Sequence, residues 1–125
     1  AEEDARYGAA PRVLFDAMSL HPEMVSGEGR NDLALSKAGR GDWATKVGAD
    51  GVQTLASRSR GIGIAAKVSD GNIKALMMAF GSVLEQLDML DVAARAELAS
   101  WIDVPIKSVR GIEVGRLEPH VLLRR

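Results

Sequence analysis

The apolar residues take up a period of two in the middle of this chain and leave it again, and that change restricts the folds open to it. Trp43, Thr45 and Val47 alternate with Ala44 and Lys46. Val52, Thr54 and Ala56 take up the alternation after Gly48-Ala49-Asp50-Gly51. Ile62, Ile64, Ala66 and Val68 then alternate with Gly61, Gly63, Ala65 and Lys67. A period of two belongs to strands with one buried face. The pattern predicts two adjacent antiparallel strands, the first kinked at residues 48–51, joined by a polar turn at 57–60. Ile73, Leu76, Met77, Phe80, Leu84, Leu87 and Leu90 follow at spacings of three and four. That spacing predicts a helix of about five turns with one apolar stripe. The expected fold class is therefore α+β, with antiparallel strands packed against a long helix near the C-terminus.

The flanking segments fit around that centre. Residues 1–10 are small and polar and are expected to form a flexible lead-in to a domain over 11–125. Pro11 can open a helix, with Val13, Leu14, Ala17 and Met18 as its apolar stripe, ending before Pro22. Residues 26–30 have loop composition. Asn31 or Asp32 can cap a short helix containing Leu33 and Leu35. Gly39-Arg40-Gly41-Asp42 is a turn. It contains Arg-Gly-Asp, a tripeptide known from cell adhesion, but turn residues produce such tripeptides routinely. Asp91 can cap a further short helix over residues 92–100, and Ile112, Val114 and residues 121–123 suggest a last strand or an extended tail.

Composition excludes several functions. With 16 Lys and Arg against 17 Asp and Glu, the net charge is −1, which gives no general drive towards nucleic acid. The few aromatics offer no stacking platform for single-stranded bases. There is no cysteine, which excludes disulfides, thiolate metal sites and Cys nucleophiles and suits a cytoplasmic location. No apolar run approaches the roughly 20 residues of a membrane span. The acidic start, without Met, does not resemble a signal peptide and reads as the new end of a trimmed chain.

Three candidate motifs remain. Gly61-Ile62-Gly63-Ile64-Ala65-Ala66 matches a dinucleotide fingerprint, but the alternation runs straight through its glycines, so it is better read as a strand. His21 and His120 lack clustered partners for a metal site. Lys46-Val47-Gly48-Ala49 is the most informative. A strand lysine beside a cleft can hold a carboxylate or assist proton transfer. A glycine two residues on admits close backbone approach, and the next N–H can face an oxyanion. By spacing alone, a solvated edge lysine is the ordinary reading.

Several segments resemble the L-asparaginase II family, in order along residues 11–119. They are His21-Pro22-Glu23 with Gly27-Glu28-Gly29-Arg30, then Lys46-Val47-Gly48-Ala49-Asp50-Gly51-Val52. Gly61-Ile62-Gly63 follows, with Lys67-Val68-Ser69-Asp70-Gly71, and last Gly111-Ile112-Glu113-Val114-Gly115. The resemblance implies a fold like the C-terminal part of the serine β-lactamase/glutaminase group. It implies hydrolysis of the L-asparagine side-chain amide to aspartate and ammonia. It gives Lys46 and the Ala49 N–H catalytic roles, and Glu28, Arg30, Gly48, Asp50 and Gly51 places around the substrate. Val47 stands where the related Lys-[Ser/Thr]-Gly motif carries a hydroxyl, and Asp50 where the family carries Glu. The Ser-x-x-Lys nucleophile segment is absent from this sequence, as is the Cys-Ser-Gly-Lys segment through which some members bind zinc. The chain is thus expected to carry no cofactor of its own and to be inactive alone. It would need its missing N-terminal half or a homo-oligomer partner, with neither nucleic acid nor membrane involved. The alternatives are a non-catalytic module of the same fold that binds a small ligand or a protein, and a relative acting on glutamine or a β-lactam.

Overall fold

A computed structural model describes residues 6–124. Its elements in chain order are α1 (Ala10–Leu20), α2 (Glu23–Ser26), α3 (Asn31–Ala38), β1 (Trp43–Gly48), β2 (Val52–Ser57), β3 (Ile62–Lys67), α4 (Ile73–Gln86), α5 (Val92–Ile102), β4 (Pro105–Lys107) and β5 (Glu113–Arg116). The class is α+β with antiparallel strands, as the change of period implies. Of the lead-in expected over 1–10, residues 1–5 lie outside the described residues, and helix α1 already begins at Ala10.

The central sheet has three strands in the order β1-β2-β3, where the sequence suggested two. Asp50 and Gly51 both have positive φ, 56° and 75°. Two successive left-handed residues reverse the chain, as Asp-Gly favours in tight hairpins. The segment read as a kink is thus a turn, and the apolar alternation that seemed to continue through it belongs to a new strand. The turn also reverses the parity. Thr45 pairs with Leu55 and Leu55 with Ile64, so one face carries Trp43, Thr45, Val47, Gln53, Leu55, Ser57, Ile62, Ile64 and Ala66. Val52, Thr54 and Ala56, expected to face inward, lie on the other face and are only half-buried.

Helices α3 and α4 cover the first face, and α5 packs against both of them. Leu35, Trp43, Leu55, Met77, Phe80, Leu84 and Leu98 form its core with Ala34, Ala38, Met89 and Ala94. Each large apolar side chain buried here contributes about 1.5–3 kcal/mol. Helix α4 is the amphipathic segment the spacing predicted. Asn72 caps it, its Oδ1 accepting from the N–H groups of Lys74 and Ala75 at 3.0 and 3.2 Å. It ends at Gln86 rather than running to Leu90, because the chain turns away through Asp88 at φ 52°. It is not the last element either. Helix α5 follows, with Asp91 Oδ1 accepting from the Ala94 N–H at 2.7 Å, and then the two-stranded β4-β5 sheet.

Helix α1 lies across the opposite face. Pro11, Phe15 and Met18 turn towards the strands, whereas Val13 and Leu14 are 60% and 64% exposed. The stripe expected to be buried is thus largely uncovered. Arg58 latches this helix to the β2–β3 turn. Its guanidinium donates to Asp16 at 2.6 Å and sits 4.4 Å from the centre of the Phe15 ring.

Gly81 lies where α4 and α5 meet. A Cβ there would stand 2.6 Å from Ile102 Cγ2 and 3.0 Å from Ile102 Cβ. Alanine at this position would gain about 1 kcal/mol of helix propensity, but overpacking costs about 1–3 kcal/mol. Gly81→Ala should therefore lower the thermal unfolding midpoint. A raised midpoint would show that α5 yields without cost.

Candidate functional site

The edge strand β1 positions the candidate residues. Lys46 points to the outer face, is exposed, and donates from Nζ to the Val47 carbonyl at 2.8 Å. Opposite it in register stands Thr54, whose hydroxyl donates to the Lys46 carbonyl at 3.0 Å. Both line a groove of about 500 Å³ between α1 and the outer sheet face, with Leu14, Phe15, Met18, Ala44, Ala56, Gly63 and Ala65. The floor is built largely from small residues, so the groove is broad, mostly apolar and open, with Lys46 as its one charged lining residue among the described residues. Thr54 escaped the sequence reading because only the strand register places it beside Lys46.

Gly48 ends β1, and a Cβ on it would stand 2.9 Å from Val52 Cβ. Glycine is therefore required by the hairpin itself, independently of any ligand. Ala49 and Asp50 form the exposed tip of the turn. Gly51 is buried against the loop that follows β3, its carbonyl accepting from the Val68 N–H at 3.0 Å. Lys67 Nζ donates to the Asp50 carbonyl, fastening the tip from the other side. The two loops that resemble the family, at 48–51 and 67–71, are thus packed back to back.

Glu28 and Arg30 lie in the exposed segment before α3. Arg30 lines a separate depression of about 190 Å³ with Leu33, Lys37, Glu97 and Trp101. The structure brings Lys46, Gly48, Ala49, Asp50 and Gly51 together on one ribbon, but it does not bring Arg30 into the groove of Lys46.

The first turn of α3 holds the residues that the sequence reading most underestimated. Asn31 and Asp32 were expected to cap this helix, but Arg30 occupies the N-cap position and no side chain caps there. Both are instead buried, 4% and 1% exposed, and bonded to the sheet. Asn31 Nδ2 donates to Gln53 Oε1 at 2.6 Å. Asp32 Oδ2 accepts from the Val47 N–H at 3.3 Å, and its carbonyl accepts from the Thr45 hydroxyl at 2.8 Å. With that proton committed, Ser36 donates to Thr45 across 2.8 Å. A seam of hydrogen-bonded polar groups therefore runs between α3 and β1.

A second polar depression, of about 350 Å³, lies at the other end of the sheet. Four of its charged side chains are already engaged. Arg40 pairs with Asp91, Arg60 donates to the Asp88 carbonyl at 2.6 Å, and Asp42 accepts from Ser57 and Ser59 at 2.7–3.0 Å. Burial acts to raise the Asp42 carboxyl, but the bonds from Ser57 and Ser59 outweigh it, so it lies below its ordinary value. The Arg-Gly-Asp turn thus serves internal contacts. His21, beside Glu23 at 3.9 Å, and His120 are both exposed. Among the described residues no group of three His, Cys, Asp or Glu side chains converges to hold a metal ion. No helix among them is long and apolar enough to cross a membrane.

The family model for L-asparaginase II matches residues 1–119. The chain belongs to the L-asparaginase II family. No curated protein matches it. The match takes in every segment quoted above for the resemblance, including the β1 ribbon and the loop before α3.

Two measurements follow from these contacts. A Cβ on Gly51 would stand 2.6 Å from Val68 Cγ2 and 2.8 Å from Gly71 Cα, at a φ of 75°. Gly51→Ala should cost about 1–3 kcal/mol in denaturant unfolding, and an unchanged midpoint would mean that the paired loops move apart freely. The second concerns Asp91, whose carboxyl is held at about 2 by the hydrogen bond from Arg40 and by the Ala94 N–H. A depressed pKa gives stability that is fully present above the unfolded value and lost as pH falls towards the folded one. The difference in melting temperature between the native protein and Asp91→Asn should be constant above about pH 5 and shrink between about pH 4 and 2. A difference that persists unchanged at pH 2 would exclude the ion pair as its source.

Proposed function

We propose that this chain supplies one wall of an L-asparaginase active site, with β1 as the strand that faces substrate. In this reading the Lys46 ammonium engages the substrate carboxylate or the proton in transit. The Ala49 N–H faces the oxygen that becomes negative as the amide carbon turns tetrahedral. Glu28, Arg30, Gly48, Asp50 and Gly51 border the substrate, Arg30 by reorienting from the depression it now lines. The reaction is hydrolysis of the asparagine side-chain amide to aspartate and ammonia in the cytoplasm. One observation carries the reading: within a chain that belongs to the family, Lys46 stands on an edge strand at the rim of an open groove. The fold relationship to the serine β-lactamase/glutaminase group belongs to the same proposal. It is supported by an antiparallel sheet with helices over one face and a further helix across the other.

Catalysis of this kind needs an activated nucleophile, and no Ser-x-x-Lys occurs in the sequence. The chain alone is therefore inactive in this proposal. The Ser-x-x-Lys part comes from an N-terminal half or a partner protomer, and any zinc would be held by that part. The uncovered outer face supports the need for a partner: Gly63, Ala65, Val13 and Leu14 are all exposed there. The same exposure favours the second reading, a non-catalytic module that docks a protein on this face.

Ammonia release separates the two. The isolated chain should release none from asparagine. The same chain combined with a Ser-x-x-Lys-bearing part of the family should release it, and Lys46→Ala in that complete enzyme should lower turnover about 10²–10⁴-fold. An unchanged rate would remove Lys46 from the site. Ammonia from glutamine but not asparagine would replace the substrate.

A further inference from the structure

We propose that Asp32 is a positioning residue for the site on β1, holding the strand at Val47 so that Lys46 and the Ala49 N–H keep their aim. The proposal rests on the asparaginase reading above, in which those two groups face substrate.

β1 is an edge strand, so its backbone groups on the side away from β2 have no ladder partner. Val47 is one such residue. Its N–H donates to Asp32 Oδ2 at 3.3 Å, and its carbonyl accepts from Lys46 Nζ at 2.8 Å. The orientation of the Val47 backbone therefore sets where the ammonium rests, and Asp32 sets the orientation of that backbone. Asp32 grips a second time two residues earlier, where its own carbonyl accepts from the Thr45 hydroxyl at 2.8 Å. The two grips lie on either side of Lys46.

The choice of side chain needs explaining as well. Asp32 is 1% exposed, and its Oδ1 is buried without a hydrogen-bond partner. A buried carboxylate with half its acceptor capacity unused is a costly way to hold one N–H. An acidic residue in the first turn of a helix is ordinarily explained by the helix dipole. That explanation requires neither burial nor an oxygen aimed at a neighbouring strand. A short side chain fixed on α3 and reaching the edge of β1 meets the geometric requirement, and misplacing a catalytic group by about 1 Å can cost 10²-fold in rate.

The test compares Asp32→Ala with Asp32→Asn in the complete enzyme. Asparagine keeps an oxygen that can accept from Val47. Asp32→Ala should lower kcat roughly tenfold to a hundredfold with KM little changed, and Asp32→Asn should recover most of that loss. Hydrogen exchange at the Val47 amide should quicken in the alanine variant and stay near native in the asparagine variant. Asp91→Ala, which uncaps α5 at the opposite end of the sheet from Lys46, should lower stability with kcat unchanged, separating positioning from general destabilisation. If Asp32→Ala does not fold, Asp32→Ser carries the same comparison. A native kcat in the alanine variant, an equal loss in both variants, or unaltered Val47 exchange would overturn the proposal. Failure of the asparaginase reading is seen separately, as an unsubstituted enzyme that releases no ammonia or a Lys46→Ala variant at full rate. The exchange measurement then still decides whether Asp32 holds the strand.

Discussion

The polar seam between the first turn of α3 and the edge of β1 is the constraint on which the rest of the molecule depends. An edge strand carries a row of backbone groups without a ladder, and β1 is one of the two edges of this three-stranded sheet. Here α3 supplies a partner for one of those groups, the Asp32 carboxylate accepting from the Val47 N–H, and adds bonds to the strand side chains: the Asp32 carbonyl and the Ser36 hydroxyl to Thr45, and Asn31 to Gln53 on the next strand. Because these contacts are directional, they fix the register of β1 and β2 relative to the helix. A one-residue slip would turn Trp43 and Leu55 out of the core and break the seam at every point. Apolar packing by α4 and α5 supplies most of the driving force, but it tolerates small displacements that the seam does not.

How much of this could be read from the sequence depended on how local each determinant was. Helix α4 was legible because its signal lies within one segment: five of the seven apolar residues at helical spacing, Ile73 to Leu84, fall inside it behind the Asn72 cap. The cap of α5 at Asp91 was legible for the same reason. The hairpin at residues 48–51 was missed because apolar alternation resumes immediately after it. The Asp50-Gly51 pair between two alternating runs was the available signal, and it outranks continuity of pattern. The inward face of β2 was missed for a deeper reason. Gln53 and Ser57 look like solvent residues, and their burial is possible only because Asn31, 22 positions away, and Asp42, 15 positions away, bond to them. Nothing near them in the chain announces those partners.

The candidate site divides along the same line. Lys46 could be named from its strand and from the resemblance, and the structure sets it at the rim of a groove. Thr54 across the ladder and Asp32 beneath the strand could not, since both enter through register and tertiary contact. Arg30 shows the opposite limit. The resemblance assigns it to the substrate, yet it lines a depression of its own with Lys37 and Glu97. A long, exposed side chain before a helix can change rotamer at small cost. Its backbone, adjoining the buried Asn31, is the part the fold determines.

The asymmetry of the sheet links this architecture to function. One face is covered by α3 and α4 with α5 packed against them, while the other carries alanines, Gly63, Thr54 and Lys46 under a single helix that leaves Val13 and Leu14 largely exposed. Small residues on a strand face let another backbone or ring approach closely, and a lone ammonium at the edge of such a surface is not paired away by a neighbouring carboxylate in the groove. A domain that had only to be stable would cover this face or make it uniformly polar. This chain instead rigidifies β1 from behind, through buried polar bonds, and leaves its front open. In the proposed asparaginase reading, stiff support behind an uncovered cationic strand is what a half-site requires, because the groups that complete it must meet a wall that does not move when they arrive.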